Sequence, residues 1–265
     1  MEQKNLDYLK NQLKYNGFGE ELNELLEAKM LERKENFSLI HQFNYGNDVM
    51  ATLLHFSKSK ETDNYFFNTY DTILKKGSKD VKQRFYVDKG NTVTVKEAYN
   101  LLSGRAVHKD LTNKEGEAYN AWIQLDFKQA NEKGNYQMEK FNPNYGYDLN
   151  RALAKHHIKE MENPESAEKL ISSLKKGNRQ SVTFLQEGNE VKRFVEANPK
   201  FFNIAVYDND MQRLFLQPEK KQENKVAESV QQIEKNAVKK ADKEKPEDVE
   251  ENTTAKKRRK RVSIS

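Results

Sequence analysis

Apolar residues in the first 216 positions recur at two spacings, and the switches between them divide the chain. Leu6, Leu9 and Leu13, then Leu22, Leu25, Leu26 and Met30, repeat at three and four residues and predict helix. Gly17 and Gly19 interrupt this run, which gives two short helices with a turn at Asn16-Gly17. Phe37, Leu39, His41, Phe43 and Tyr45 then alternate strictly, the period of a half-buried strand. After the turn Tyr45-Gly46-Asn47-Asp48, three more strand-like runs occupy 49–56, 65–74 and 81–87. A new unit opens at Thr94. With Glu97 three residues on it forms a capping box, in which hydroxyl and carboxylate each take one orphan helix amide. Val95, Ala98, Leu101 and Leu102 are the apolar face of that helix, and Gly104 is its stop. Strands follow at 105–111, 119–127 (with Trp122 at its centre) and 136–141. In a third unit Asp148 caps a short helix over 149–154, Pro164 opens a helix over 165–176, and Gly177 ends it. Strands at 180–186, 191–197, 201–207 and 211–216 complete the pattern.

This grammar predicts an α+β protein built of helix-plus-antiparallel-meander units at 1–91, 92–147 and 148–217, followed by a Lys/Glu-rich tail at 218–265. The units echo one another. Gly46-Asn47-Asp48-Val49 matches Gly188-Asn189-Glu190-Val191, and Leu101-Leu102-Ser103-Gly104-Arg105 matches Leu174-Lys175-Lys176-Gly177-Asn178-Arg179 loosely. Such echoes fit a degenerate triplication; they also fit chance matches within a common local arrangement. Units this small cannot bury both faces alone, so they are expected to pack on one another.

Composition sharpens the tail and the compartment. The hydrophobic fraction is 35% and the charged fraction 33%, with a mean hydropathy of −1.03. The apolar deficit concentrates after Pro218, where no aromatic occurs. That segment has too little apolar area to offset the entropy of ordering, and it is expected to be disordered. It holds 14 basic and 10 acidic residues, so +4 of the net +5 resides there and the preceding body is nearly neutral. The absence of cysteine excludes disulfides, thiolate metal sites and a cysteine nucleophile. No apolar run is long enough to cross a bilayer. The opening Met1-Glu2-Gln3-Lys4-Asn5 offers neither a signal-peptide core nor a myristoylation glycine. A cytoplasmic protein without membrane attachment is expected.

The chain lacks the common catalytic signatures. Neither G-x-x-x-x-G-K-[ST] nor G-x-G-x-x-G nor G-x-S-x-G occurs, and Asn16-Gly17-Phe18-Gly19 has no strand feeding it. His41, His55, His108, His156 and His157 show no i, i+4 pairing, so no metal is expected. A Ser-His-Asp set would have to be assembled in three dimensions. No enzyme activity and no cofactor are expected. Two features point to binding. Aromatics on strands, Tyr65-Phe66-Phe67 and Trp122 between Tyr119 and Phe127, serve either as ordinary sheet core or as a face for bases or a protein. Lys256, Lys257, Arg258, Arg259, Lys260 and Arg261 form an unbroken basic hexad that would bind phosphate in a salt-dependent way. The same composition serves an acidic protein partner, or solubility alone. Within the body, Arg105, Lys109, Trp122 and Arg179 are the candidate nucleic-acid contacts, because they flank equivalent strand starts or sit mid-strand.

The stretch Val95-Lys96-Glu97-Ala98-Tyr99-Asn100-Leu101-Leu102-Ser103-Gly104-Arg105-Ala106-Val107, with Leu111 to Gly116 and Tyr119 to Phe127, resembles a family of bacterial proteins encoded on conjugative and other integrative mobile elements. The opening 1–19, Asn144-Tyr145-Gly146-Tyr147-Asp148-Leu149 and 177–184 fit the same resemblance, as does a basic tail. Members tend to be encoded near relaxase and topoisomerase genes. The resemblance brings no catalytic residue with it. That neighbourhood implies DNA processing or transfer, and with the hexad and the aromatic strands it leads to the expectation of a non-enzymatic, nucleic-acid-associated accessory protein, whose partner is single- or double-stranded nucleic acid. The alternative is an adaptor that binds another element-encoded protein through a sheet edge or aromatic face.

Overall fold

The computed structural model describes residues 3–215 apart from 78, 89 and 187; the Lys/Glu-rich tail and its basic hexad lie outside the described residues. Helix α1 (Gln3–Tyr15) buries Leu6, Leu9 and Leu13 along one face, and α2 (Asn23–Leu31) buries Leu26 and Met30. Between them the Gly17 amide bonds to Lys14 O and the Phe18 amide to Leu13 O, a paired-bond helix stop that turns Phe18 into the core. The same two bonds close α3 (Val95–Leu102), from Gly104 to Leu101 O and from Arg105 to Asn100 O. They close α5 (Pro164–Lys175) as well, from Gly177 to Leu174 O and from Asn178 to Ser173 O. The Thr94–Glu97 capping box opens α3, and Asp148 caps the short α4 (Leu149–Leu153).

Each of the three sheets is an antiparallel meander. The first comprises β1 (Asn36–Tyr45), β2 (Asp48–Lys58), β3 (Tyr65–Lys76) and β4 (Lys79–Tyr86) in chain order. A bulge opposite His55/Phe56 inserts Asn68 into β3. It rephases the strand, so Tyr65 and Phe67 before it and Tyr70 and Leu74 after it all point inward. Phe66 is left half exposed on the other face. The Tyr70 hydroxyl donates to Val93 O and anchors the chain that leads into α3.

The second sheet is β5 (Val107–Thr112), β6 (Ala118–Ala130) and β7 (Tyr136–Phe141). The third is β8 (Gln180–Gln186), β9 (Asn189–Asn198), β10 (Asn203–Tyr207) and the short β11 (Arg213–Leu214). Arg105 was expected at the start of a strand. Its amide instead closes α3, and β5 begins two residues later.

The middle sheet lies between two cores. Val107, Leu111, Ala121, Ile123 and Leu125 join the core built by α1, α2, α3 and the first sheet. Ala106, Trp122 and Phe141 join the core built by α4, α5 and the third sheet. Burial on both faces is why consecutive residues Ala121, Trp122 and Ile123 are all interior, where a half-buried strand would alternate. The meanders thus complete each other's cores within one unit, Met1–Pro218.

The joint between the α3 and α5 stops is polar and buried. Arg105, 8% exposed, donates from Nε to Gly177 O at 3.0 Å and from Nη2 to Asn100 Oδ1 at 2.7 Å. Asn100 Nδ2 donates to Lys176 O at 2.6 Å. A Cβ on Gly177, whose φ is +80°, would meet Val107 Cγ2 at 2.8 Å and Ala106 O at 2.9 Å. Gly177→Ala combines left-handed strain with a clash against backbone and should cost at least about 2 kcal/mol. Arg105→Ala should cost about 2–4 kcal/mol by leaving buried acceptors unpaired, and Arg105→Lys should recover little of it, because an ammonium cannot span both acceptors as the guanidinium fork does. Urea unfolding of the three variants checks both statements.

Candidate nucleic-acid interface

The four sequence candidates in the body are tied to different partners. Arg105 is buried in the α3–α5 joint, with its guanidinium 4.9 Å from the Tyr99 ring centroid. Lys109 Nζ lies 3.1 and 3.0 Å from the two carboxylate oxygens of Glu97, the capping-box residue. Arg179 Nε donates to Glu196 Oε1 at 2.7 Å, and its guanidinium sits 4.4 Å over Tyr207. The Tyr207 hydroxyl donates to the second Glu196 oxygen at 2.9 Å. All three cations are therefore committed within the fold: Arg105 to buried carbonyl oxygens, Lys109 and Arg179 to carboxylates. The basic hexad, Lys256 to Arg261, lies outside the described residues.

Trp122 differs from the other three because it walls a crevice of about 480 Å³. Its cross-strand partner in the β5–β6 register is His108. The two rings stand edge to face with centroids 5.2 Å apart, and Tyr147 meets the indole from another side at 5.5 Å. Tyr147 is fixed in turn: its hydroxyl donates to Asn203 O at 3.1 Å and accepts from the Asn198 amide at 3.3 Å. Burial raises the Tyr147 phenol well above its ordinary range, so it stays neutral. Asn120, Asn142 and Asn150 add amide donors and acceptors to the lining, and Arg151 and Lys175 add two cations. Neither cation makes an ion pair among the described residues. Asp148 is the one carboxylate in the lining, and it accepts the Arg151 amide at 3.1 Å as the cap of α4.

His108 is held neutral in this setting. Burial pushes its pKa down, the nearby Lys175 charge pushes it further, and the Asn120 hydrogen bond and Asp110 only partly oppose them. A neutral imidazole offers one donor and one acceptor, a suitable pairing for the edge of a base or a hydroxyl. The sequence pointed to Trp122 and left out His108, Tyr147, Arg151 and Lys175. The sequence signal at Tyr147 is the Asn144-to-Leu149 stretch, which carries only the family resemblance.

A second polar cluster crosses the outward face of the first sheet. Ser38 Oγ lies 3.1 Å from His55 Nδ1, and His55 Nε2 lies 2.8 Å from Asp71 Oδ2. Arg84 grips both Asp71 oxygens at 2.6 and 2.7 Å. The connectivity is that of a catalytic triad, but the carboxylate that should stabilise an imidazolium is already neutralised by Arg84. Each member stands on a different strand, so the cluster acts as a ladder that holds β1 to β4 in register. Among the described residues no group of three His, Asp or Glu side chains is placed to hold a metal.

Two outcomes follow from these environments. The Arg84 hydrogen bonds hold the Asp71 carboxyl below its ordinary value, ahead of the smaller His55 contribution. Its share of stability is therefore present above the unfolded carboxyl pKa of about 3.9 and is lost as pH falls through the lower folded value. Asp71→Asn should flatten the loss of stability on acidification below about pH 5, as read by urea midpoints along a pH series. Trp122 is the single tryptophan. Its emission should titrate with a midpoint below the ordinary imidazole value of about 6.5 as His108 takes up a proton, and His108→Phe should abolish that transition. No protein-family model, no curated protein and no solved structure matches this chain.

Proposed function

We propose that this protein is a non-enzymatic accessory protein of a bacterial mobile element that binds nucleic acid, with an unpaired base entering the Trp122 crevice and the basic tail adding general attraction for phosphate. The observation that carries this reading is the pairing of an aromatic wall, Trp122 with Tyr147 and His108, with two cations, Arg151 and Lys175, that make no ion pair among the described residues. Aromatic rings recognise bases of any identity, and cations in the lining can meet flanking phosphates. A base stacked within a duplex cannot reach such a crevice, which favours single strands, ends or loops. The near neutrality of the body fits a local contact of this kind, with most of the net charge of the chain left to the tail.

Binding of labelled single-stranded DNA, duplex DNA and RNA across a salt series tests the proposal. A chain ending at Pro218 should keep a preference for single strands. Its log–log salt slope should be shallower than that of the full chain by about 0.7 for each tail cation engaged. Replacing both Arg151 and Lys175 with alanine in the full chain should weaken binding several-fold and lower the slope by about 1.4. An unchanged affinity and slope in that double variant would remove the crevice from the reading.

A further inference from the structure

The outward face of the first sheet holds a groove of about 490 Å³ whose chemistry differs from that of the Trp122 crevice. Its floor is aliphatic: Ile40, Ala51, Leu53 and Ile73. The register brings them together, with Ile40 opposite Leu53 and Ala51 opposite Ile73 on neighbouring strands. Ile40 is 71% exposed and continues the apolar floor of Ala51, Leu53 and Ile73, a contiguous patch of the kind that marks an interaction surface. One wall is the β6–β7 turn at residues 133–135. It is fastened to β4 where the Arg84 amide donates to Asn135 Oδ1 at 2.7 Å and the Tyr136 amide donates to Gln83 Oε1 at 2.8 Å. The wall is thus part of the fold rather than a loose flap.

Charge decides the kind of occupant. Lys82 and Lys133 line the groove and make no ion pair among the described residues. The single carboxylate of the lining, Asp71, is already bound on both oxygens by Arg84. The groove therefore presents excess positive charge above an apolar floor. Without an aromatic ring in the lining there is no platform for a base, so the cations alone do not make it a nucleic-acid site. We propose that this groove docks an acidic segment of a partner protein, whose branched aliphatic side chains cover Ile40, Leu53 and Ile73 while its carboxylates meet Lys82 and Lys133. The groove and the Trp122 crevice are lined by different residues, so the two proposals stand or fall separately.

Fluorescence anisotropy on the full chain tests this with three probes: a short labelled peptide alternating Glu with Leu or Ile, the same peptide with Lys for Glu, and a single-stranded oligonucleotide. The acidic peptide should bind about tenfold more tightly than the basic one. Ile40→Glu should weaken it about tenfold through the floor, and Lys82→Glu combined with Lys133→Glu should do so independently through the rim. Both sets of changes are at the surface, and far-UV dichroism should match that of the parent chain. Oligonucleotide binding should change less than about twofold in either variant. The proposal is overturned if the acidic peptide does not bind, if both peptides bind equally, or if the variants weaken the oligonucleotide in place of the peptide.

Discussion

A cation buried without a carboxylate has to be solvated by dipoles, and Arg105 is placed where two helices supply them. The C-terminal ends of α3 and α5 meet at this side chain, and each end carries partial negative charge on unsatisfied carbonyls. Arg105 bonds Gly177 O directly and reaches the rest through Asn100, whose amide bonds Lys176 O and whose carbonyl accepts from Arg105. The Tyr99 ring covers the guanidinium, and the Tyr99 hydroxyl donates to Asp48 at the start of β2 at 3.0 Å. Tyr99 also stacks on Tyr45 with centroids 4.0 Å apart. A continuous polar and aromatic path therefore runs from the first meander, through α3, to the stop that precedes the third.

The consequence reaches the candidate sites. The α5 stop sets where Lys175 emerges, and the adjoining Ala106 and Val107 set where β5 starts. The position of β5 then decides that His108 faces Trp122 across the strand pair while Lys109 faces Glu97. A one-residue change at this joint would exchange those faces, because neighbouring strand residues point to opposite sides. The crevice is in this sense a product of the helix stops.

The two surfaces separate by chemistry rather than by charge alone. Both present cations that make no ion pair among the described residues, Arg151 and Lys175 in one, Lys82 and Lys133 in the other. Aromatic walls in the first and an aliphatic floor in the second make the same charge suited to different ligands. Where the fold needs its cations for itself, as with Lys109 and Arg179, it pairs them with carboxylates.

The α+β class, the helix-plus-meander order, the capping box at Thr94, the cap at Asp148 and the glycine stops were legible in the sequence, because each depends on residues within a few positions of one another. The strand faces were legible only where one side is solvent. At β6 the periodicity failed, since Ala121, Trp122 and Ile123 serve two cores at once. At β3 the bulge at Asn68 shifted the phase in a way no alternation could show. The fate of individual charges lay furthest from the sequence. Arg105, Lys109 and Arg179 read as free cations beside strand starts, and their partners Gly177, Glu97 and Glu196 stand 72, 12 and 17 residues away. Pairing between such distant groups is set by how the meanders stack, so only the tertiary structure could separate the cations that hold the fold together from those that make no ion pair among the described residues.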